Sequence, residues 1–159
     1  ILRDAKVNQG LEESGNLNES IRDSRISWIK PNENSSWLFE KMTQLITSIN
    51  DEYFKFDLSG LVEGFQFTEY NSPAGHYAYH MDKATGSKIR KLSLTMQLSN
   101  SEDYEGGDLE FLYGKEPQSA NREKGCITFF PSWILHRVTP VTSGTRYSLV
   151  AWITGPNSK

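Results

Sequence analysis

Gly75-His76-Tyr77-Ala78-Tyr79-His80-Met81-Asp82 is answered further along by Phe130-Pro131-Ser132-Trp133-Ile134-Leu135-His136, and then by Arg146. In an extended chain, residues two apart point the same way. His80 and Asp82 can therefore reach one ion while Met81 turns to the other side. His136 follows an apolar strand and corner that would aim it into a cavity. Two imidazoles and one carboxylate in this order form the ligand set that holds one face of a non-haem iron(II) centre and leaves the remaining positions open. An arginine shortly after the second histidine offers a fixed cation to a dicarboxylate. A bare His-x-Asp is more often an ordinary surface pair, so the reading rests on His136 and Arg146 joining it. The third histidine, His76, shares the strand face of His80 but adjoins a turn, and an exposed residue is expected there.

The stretch belongs to a series of short β runs. They fall at about 64–70, 77–81, 91–99, 108–113, 125–130 and 147–154, separated by turn clusters such as Asn71-Ser72-Pro73-Ala74-Gly75 and Thr142-Ser143-Gly144-Thr145. Strands at this spacing predict a sandwich or barrel. Before them, Trp37, Leu38, Met42, Leu45, Ile46 and Ile49 recur at helical spacing, which predicts an amphipathic helix over about 36–50 with Asn34 or Ser35 as its N-cap. Residues 1 to about 25 are polar and read as loop, with a strand entering at Ile26-Ser27-Trp28-Ile29. The expected class is mainly β with N-terminal helix support, a jelly roll. The expected organisation is one domain over 1–159, with about 1–52 as loop, strand and helix and about 53–159 as the β core.

Two strands carry chemistry by alternation. In Arg146-Tyr147-Ser148-Leu149-Val150-Ala151-Trp152, period two groups Arg146, Ser148, Val150 and Trp152 on one face. An arginine sharing a face with valine and tryptophan needs an anion, so Arg146 is expected to bind a carboxylate, helped by the Ser148 hydroxyl. In 91–99, Leu92, Leu94, Met96 and Leu98 form one face, and Ser93, Thr95, Gln97 and Ser99 the other. The polar face either meets water or lines a site; the pattern alone leaves both open.

The net charge of −3 gives no basic footprint for nucleic acid. No apolar run approaches the roughly 20 residues of a membrane span. The single cysteine, Cys126, excludes an internal disulfide and suits a reducing compartment; it is expected to be buried and inert. The first residue is Ile1 rather than Met, which leaves a preceding segment or a removed signal open.

The chain from about Ile26 onward resembles the iron(II)- and 2-oxoglutarate-dependent dioxygenases, in their prolyl 4-hydroxylase-like branch, and is similar to small bacterial and phage hydroxylases. The pieces that carry this are Tyr70 to Gly75, Tyr77 to Asp82, Arg90-Lys91-Leu92-Ser93-Leu94, Tyr104-Glu105-Gly106-Gly107-Asp108-Leu109, Phe130-Pro131-Ser132, Leu135 to Val141, and Gly144-Thr145-Arg146-Tyr147. The resemblance implies a double-stranded β-helix with iron(II) on His80, Asp82 and His136. It implies 2-oxoglutarate held at its keto-acid end by iron and at its distal carboxylate by Arg146, with Tyr70 lining that pocket and Trp152 near the metal. It implies dioxygen as the other substrate and is compatible with ascorbate as an accessory reductant.

The chain departs from the pattern in two places. Collagen-type prolyl hydroxylases place a lysine where Arg146 stands, and oxygen-sensing relatives place a tyrosine where Gln97 stands; Gln97 is expected to donate to the same carboxylate. The implied substrate is a proline in a peptide or protein, with Tyr77 and Trp152 as apolar walls and residues 83–90, carrying Lys83, Lys88 and Arg90, as either a lid or a solvated turn. The alternatives are a small-molecule or free amino-acid hydroxylase of the same mechanism and, outside the class, a non-catalytic metal-binding jelly roll. The expected setting is the cytoplasm of a bacterium or a phage-infected cell, with neither a nucleic-acid nor a membrane partner.

Overall fold

The computed structural model describes residues 8–9, 21–85 and 88–156. Most of the polar N-terminal stretch, and Gly86 and Ser87 in the 83–90 segment, lie outside them. In chain order the elements are β1 (Asn8–Gln9), β2 (Arg22–Asp23), β3 (Arg25–Ile29), α1 (Ser36–Ile49), a π-helical turn (Asn50–Phe54), β4 (Phe65–Asn71), β5 (His76–His80), β6 (Ala84–Thr85), β7 (Lys88–Gln97), β8 (Tyr104–Gly106), β9 (Leu109–Phe111), β10 (Gln118–Ser119), β11 (Ile127–Pro131), β12 (His136–Val138) and β13 (Val141–Thr154). The larger sheet runs β1-β3-β4-β13-β7-β11, with β6 beside β7 and β8 beside β13. The smaller runs β10-β9-β12-β5-β2. All their pairings are antiparallel. This is the expected jelly roll.

Alternation along the central strands explains why two apolar layers form. One face of the larger sheet carries Phe65, Leu92, Leu94, Leu149, Ala151 and Ile153, and the apolar stripe Leu38, Met42 and Ile46 of α1 packs onto it. The other face looks toward the smaller sheet, where Tyr70, Tyr104, Leu109, Phe111, Phe130, Val138 and Val141 form a second cluster. Helix and inter-sheet core thus sandwich the central stretches of β7 and β13, where Leu92, Leu94, Leu149, Ala151 and Ile153 serve the helix layer and Ser93, Gln97, Arg146, Ser148 and Trp152 are buried on the other side. Phe39 sets its ring edge-on to Phe65 with centroids 4.7 Å apart, which fixes the helix over β4.

Local details differ from the sequence reading. Trp37, placed in the helical stripe, is exposed, and its indole N–H donates to the Asn34 carbonyl. Ser35 occupies the N-cap position, but its hydroxyl donates back to the Lys30 carbonyl instead of capping the helix. Residues 142–145, read as a turn, belong to β13, whose start pairs with β8. Gly106 and Gly107 allow this: both have positive φ, and a Cβ at Gly107 would lie 2.9 Å from Val141 Cγ2 and 3.3 Å from Arg146 Cδ. Cys126 is half-buried, not sealed in the core.

Leu94 is fully buried beneath the helix. Leu94→Ala is expected to cost about 2–5 kcal/mol in urea unfolding. A loss below about 1 kcal/mol, the range of ordinary surface changes, would show that α1 does not seat on β7.

Candidate functional site

The minor sheet delivers the histidines. β5 ends at His80, and β12 begins at His136 directly beside it in register. Asp82 lies two residues past the end of β5, held by its backbone N–H donating to the Ser132 carbonyl at 2.8 Å, with Met81 turned outward. The i, i+2 geometry therefore survives beyond the strand. Asp82 Oδ1 lies 3.3 Å from His80 Nε2 and 3.4 Å from His136 Nε2. One donor atom from each residue lies within 4.8 Å of the others.

Backbone carbonyls set the protonation of these donors. His80 Nδ1 lies 2.7 Å from the Ala78 carbonyl, and His136 Nδ1 lies 2.8 Å from the Ile134 carbonyl. A carbonyl only accepts, so each ring carries a proton on Nδ1; in the neutral ring the Nε2 lone pair is then free for a metal, and a second proton taken up on Nε2 would be bonded to Asp82. Ser93 donates to Asp82 Oδ2 at 2.9 Å and is itself bonded to the Ser132 hydroxyl. Oδ1 is thereby left for the imidazoles. This donor set fits a divalent transition metal. Ser93 and Ser132 were quoted in the sequence motifs but given no role there.

Electrostatics agree with the pairing. Burial pushes the Asp82 carboxyl up, but the two imidazoles bonded to it more than offset this and hold it well below the usual carboxylate range. Burial pulls His136 down, yet its hydrogen bond to Asp82 raises it above its ordinary value.

The major sheet supplies the other half. Arg146, Ser148, Val150 and Trp152 all point into the same inter-sheet cavity as the metal donors, as do Tyr70 and Tyr77. Arg146 is 1% exposed. Its Nε and Nη2 donate to Gln97 Oε1 at 3.2 and 2.6 Å, and Tyr70 lies under the guanidinium, 5.5 Å to the ring centroid. Among the described residues no carboxylate pairs with it. The Ser148 hydroxyl and the Trp152 indole nitrogen are buried with no hydrogen-bond partner. The polar face of β7 thus turns to the site: Ser93 serves Asp82, Thr95 lines the cavity and Gln97 holds Arg146.

Gln97 stands behind Arg146. Because a guanidinium only donates, Oε1 must face it, which turns Nε2 onto the Tyr104 hydroxyl at 2.8 Å. Its two amide protons go to that hydroxyl and, at 3.4 Å, to the Arg122 carbonyl, so Gln97 positions Arg146 and does not donate into the cavity. Tyr77 stacks on His80 with centroids 3.6 Å apart, and burial raises its phenol's pKa. In the 83–90 segment, β6 pairs with the start of β7. Arg90 is no free lid residue: it grips Glu63 bidentately at 2.8 and 2.7 Å and lies over the Trp152 ring at 3.9 Å. Sequence reading missed Arg22, which is 7% exposed and lines the cavity from β2. Nothing in its polar surroundings signalled it.

Residues 65–154, more than half of the chain, match the 2OG-Fe(II) oxygenase superfamily. The chain belongs to that superfamily. A PKHD-type hydroxylase from Prochlorococcus marinus (strain MIT 9515) is 31% identical over 147 residues, covering 90% of this chain and 66% of the relative. One from Alteromonas mediterranea is 39% identical over 84 residues, covering 48% and 37%. The chain therefore spans between roughly a third and two thirds of these curated relatives. Among solved structures, a Pseudomonas putida prolyl-4-hydroxylase superposes with TM-score 0.74 at 26% identity, over 93% of this chain and 77% of that one. A Trichoplax adhaerens prolyl hydroxylase, solved with a hypoxia inducible factor oxygen degradation domain peptide fragment, gives TM-score 0.78 at 20% identity, over 93% and 70%, and supports the fold. This 2OG-Fe(II) oxygenase is thus of the prolyl hydroxylase-like branch.

His136 gives the metal a pH signature. Its folded pKa is raised above 6.5, so its contribution to the metal-free protein is complete below that value and is lost as pH rises through the raised one. A metal needs the unprotonated ring, so the increase in Tm on adding Zn(II) should grow with pH over the same interval. An increment that stays flat or shrinks as pH rises would contradict the assignment of His136 Nε2 as a ligand. His80→Ala, Asp82→Ala and His136→Ala should each lose bound metal and keep their circular dichroism.

Proposed function

We propose that this oxygenase hydroxylates an unactivated C–H bond, most naturally that of a prolyl residue in a peptide, converting 2-oxoglutarate and O2 to succinate and CO2. The observation that carries the reading is Arg146, buried without a carboxylate among the described residues, beside an unpartnered Ser148 hydroxyl and in one cavity with His80, Asp82 and His136. A metal held only for structure has no use for such a guanidinium.

The residues divide the work. His80, Asp82 and His136 would hold iron(II), which when loaded with 2-oxoglutarate and O2 supplies the oxidising power that puts one oxygen atom into succinate and the other into the substrate. Arg146 binds the distal carboxylate through the donors that Gln97 leaves free, with Ser148 and Tyr70 beside it. Gln97, tied to Tyr104, keeps the guanidinium from swinging. Ser93 keeps Asp82 Oδ1 on the metal side. Trp152, clamped by the Arg90–Glu63 pair, forms an apolar wall for the substrate ring; Tyr77, expected as the second wall, gives its ring to His80 and Arg22 and offers only its edge. Peptidyl proline is favoured by the likeness to the Pseudomonas putida prolyl-4-hydroxylase. A free amino acid or other small molecule remains the alternative within the same mechanism. Residues 1–159 act as one catalytic domain, about 1–52 being its N-terminal loop, strand and helix and about 53–159 its jelly-roll core, in the cytoplasm of a bacterium or phage-infected cell. Among the described residues no helix is long and apolar enough to cross a membrane.

Arg146→Ala removes one partner of a desolvated charge pair, a change of about 2–5 kcal/mol. The 2-oxoglutarate requirement should rise from about 30-fold to a few thousand-fold. Arg146→Lys should recover part of it, because an ammonium cannot reproduce the planar fork. An unchanged requirement in the alanine variant would remove Arg146 from the site. On substrate, succinate release should respond to proline-containing peptides more than to free proline, with mass spectrometry showing a single added oxygen. Response to a small metabolite with none to any prolyl peptide would move the assignment to the free-substrate alternative.

A further inference from the structure

Arg22 is a second buried guanidinium on the cavity wall. Its Nε donates to the Ser24 hydroxyl at 2.6 Å and its Nη2 to Gln66 Oε1 at 2.9 Å. Gln66 is fixed in that role, since Oε1 also accepts from the Thr68 hydroxyl at 3.0 Å. Nη1 makes no hydrogen bond among the described residues, and no described carboxylate pairs with Arg22. The acceptors it has are neutral, and a buried cation with only neutral acceptors is costly. Tying β2 to β4 would not require a charge.

The charges around the site can be matched pair by pair. Arg90 is neutralised by Glu63. Given the proposed function, on which this inference rests, Arg146 meets the distal carboxylate of 2-oxoglutarate. The other carboxylate of the co-substrate and Asp82 together match iron(II). Among the described residues Arg22 is the charge left over. It lies against Tyr77, 4.5 Å from the ring centroid, while His80 stacks on the same ring at 3.6 Å. Both contacts are to the faces of the one Tyr77 ring, so the guanidinium is no farther from the His80 ring than those distances laid end to end, and a substrate that reaches both passes the ring's edge over one or two residues of about 3.8 Å each.

We propose that Arg22 anchors a carboxylate of the substrate, carried within about a residue of the carbon that is hydroxylated. Such a substrate is a chain that ends at or next to that residue, or the free amino acid. An internal residue of a long peptide would offer only a neutral carbonyl there. A carboxylate takes Nη1 and cancels the remaining charge.

The probes are N-acetyl-L-proline, its neutral primary amide and free L-proline, titrated by calorimetry into the anaerobic protein loaded with iron(II) and 2-oxoglutarate. N-acetyl-L-proline is expected to bind about tenfold or more tighter than the amide. In Arg22→Gln that ratio should fall to near one, and in Arg22→Lys part of it should remain. Thermal unfolding of both variants reports whether they fold; should Arg22→Gln fail to, Arg22→Lys and the wild-type acid-to-amide ratio decide. Free proline binding tighter than the acetylated form identifies the free amino acid as the source of the carboxylate, and the reverse identifies a chain terminus; either supports Arg22. Equal affinity for acid and amide, no binding by either acid, or an acid preference that persists in folded Arg22→Gln overturns it. The preceding 2-oxoglutarate titration separates the two claims. Absence of 2-oxoglutarate binding in the wild type defeats the oxygenase reading itself, whereas normal binding with no acid preference defeats only Arg22.

Discussion

A guanidinium sealed between two sheets with no carboxylate beside it among the described residues is the constraint on which the rest of the site depends. Arg146 cannot turn away: the residues on either side of it alternate to the opposite face, with Leu149, Ala151 and Ile153 under the helix, so the period of β13 commits Arg146 to the interior. Its neighbours answer that commitment. Gln97 takes two of its donors, Tyr104 fixes Gln97, and Arg122 lies over the Tyr104 ring at 4.3 Å while donating to the Gly106 carbonyl and Asp108. Gly107 lets that loop press onto the arginine's stem. A charge held so firmly, with part of its hydrogen-bonding capacity left open, is pre-organised for an anion.

The metal half is built by the same logic on the opposite sheet. Backbone carbonyls fix both imidazole protons, and a serine pair fixes the carboxylate, so the donor atoms converge without relying on the metal to gather them. The two halves sit on different sheets, and their relative placement is set by the inter-sheet cluster of Tyr70, Phe111, Phe130 and Val138. Phe130 meets His136 edge-on with centroids 4.8 Å apart. Packing and chemistry therefore share residues, and a cavity in that cluster would be felt as misalignment of the ligands.

Much of this was legible in the sequence because two periodicities are strong. The 3.6 period of Leu38, Met42 and Ile46 gave the helix, and the twofold alternation of 91–99 and 146–152 gave the faces of the central strands. The side to which Ser93, Thr95 and Gln97 turn could not be read, since a polar strand face is the same pattern whether it meets water or a polar cavity. Only the second sheet decides it. β12 was missed because three residues carry no period, and the start of β13 at 142–145 because Thr-Ser-Gly-Thr has turn chemistry that β8 overrides by pairing. Arg22 was invisible for a similar reason: one arginine in a polar N-terminal stretch acquires meaning only when β2 is laid beside Tyr77. Nor could the role of Arg90 in the basic cluster of 83–90 be read from sequence, because its partner Glu63 lies far off along the chain.

The central claim is that one cavity binds iron(II) and 2-oxoglutarate together, the first on His80, Asp82 and His136 and the second on Arg146. Anaerobic addition of 2-oxoglutarate to the iron(II)-loaded protein tests it most directly by visible absorption. The account predicts a weak charge-transfer band that appears only with both components and titrates to one equivalent of 2-oxoglutarate. A protein that binds iron(II) but shows no band at saturating 2-oxoglutarate, or an Asp82→Ala variant that shows an undiminished one, would contradict it.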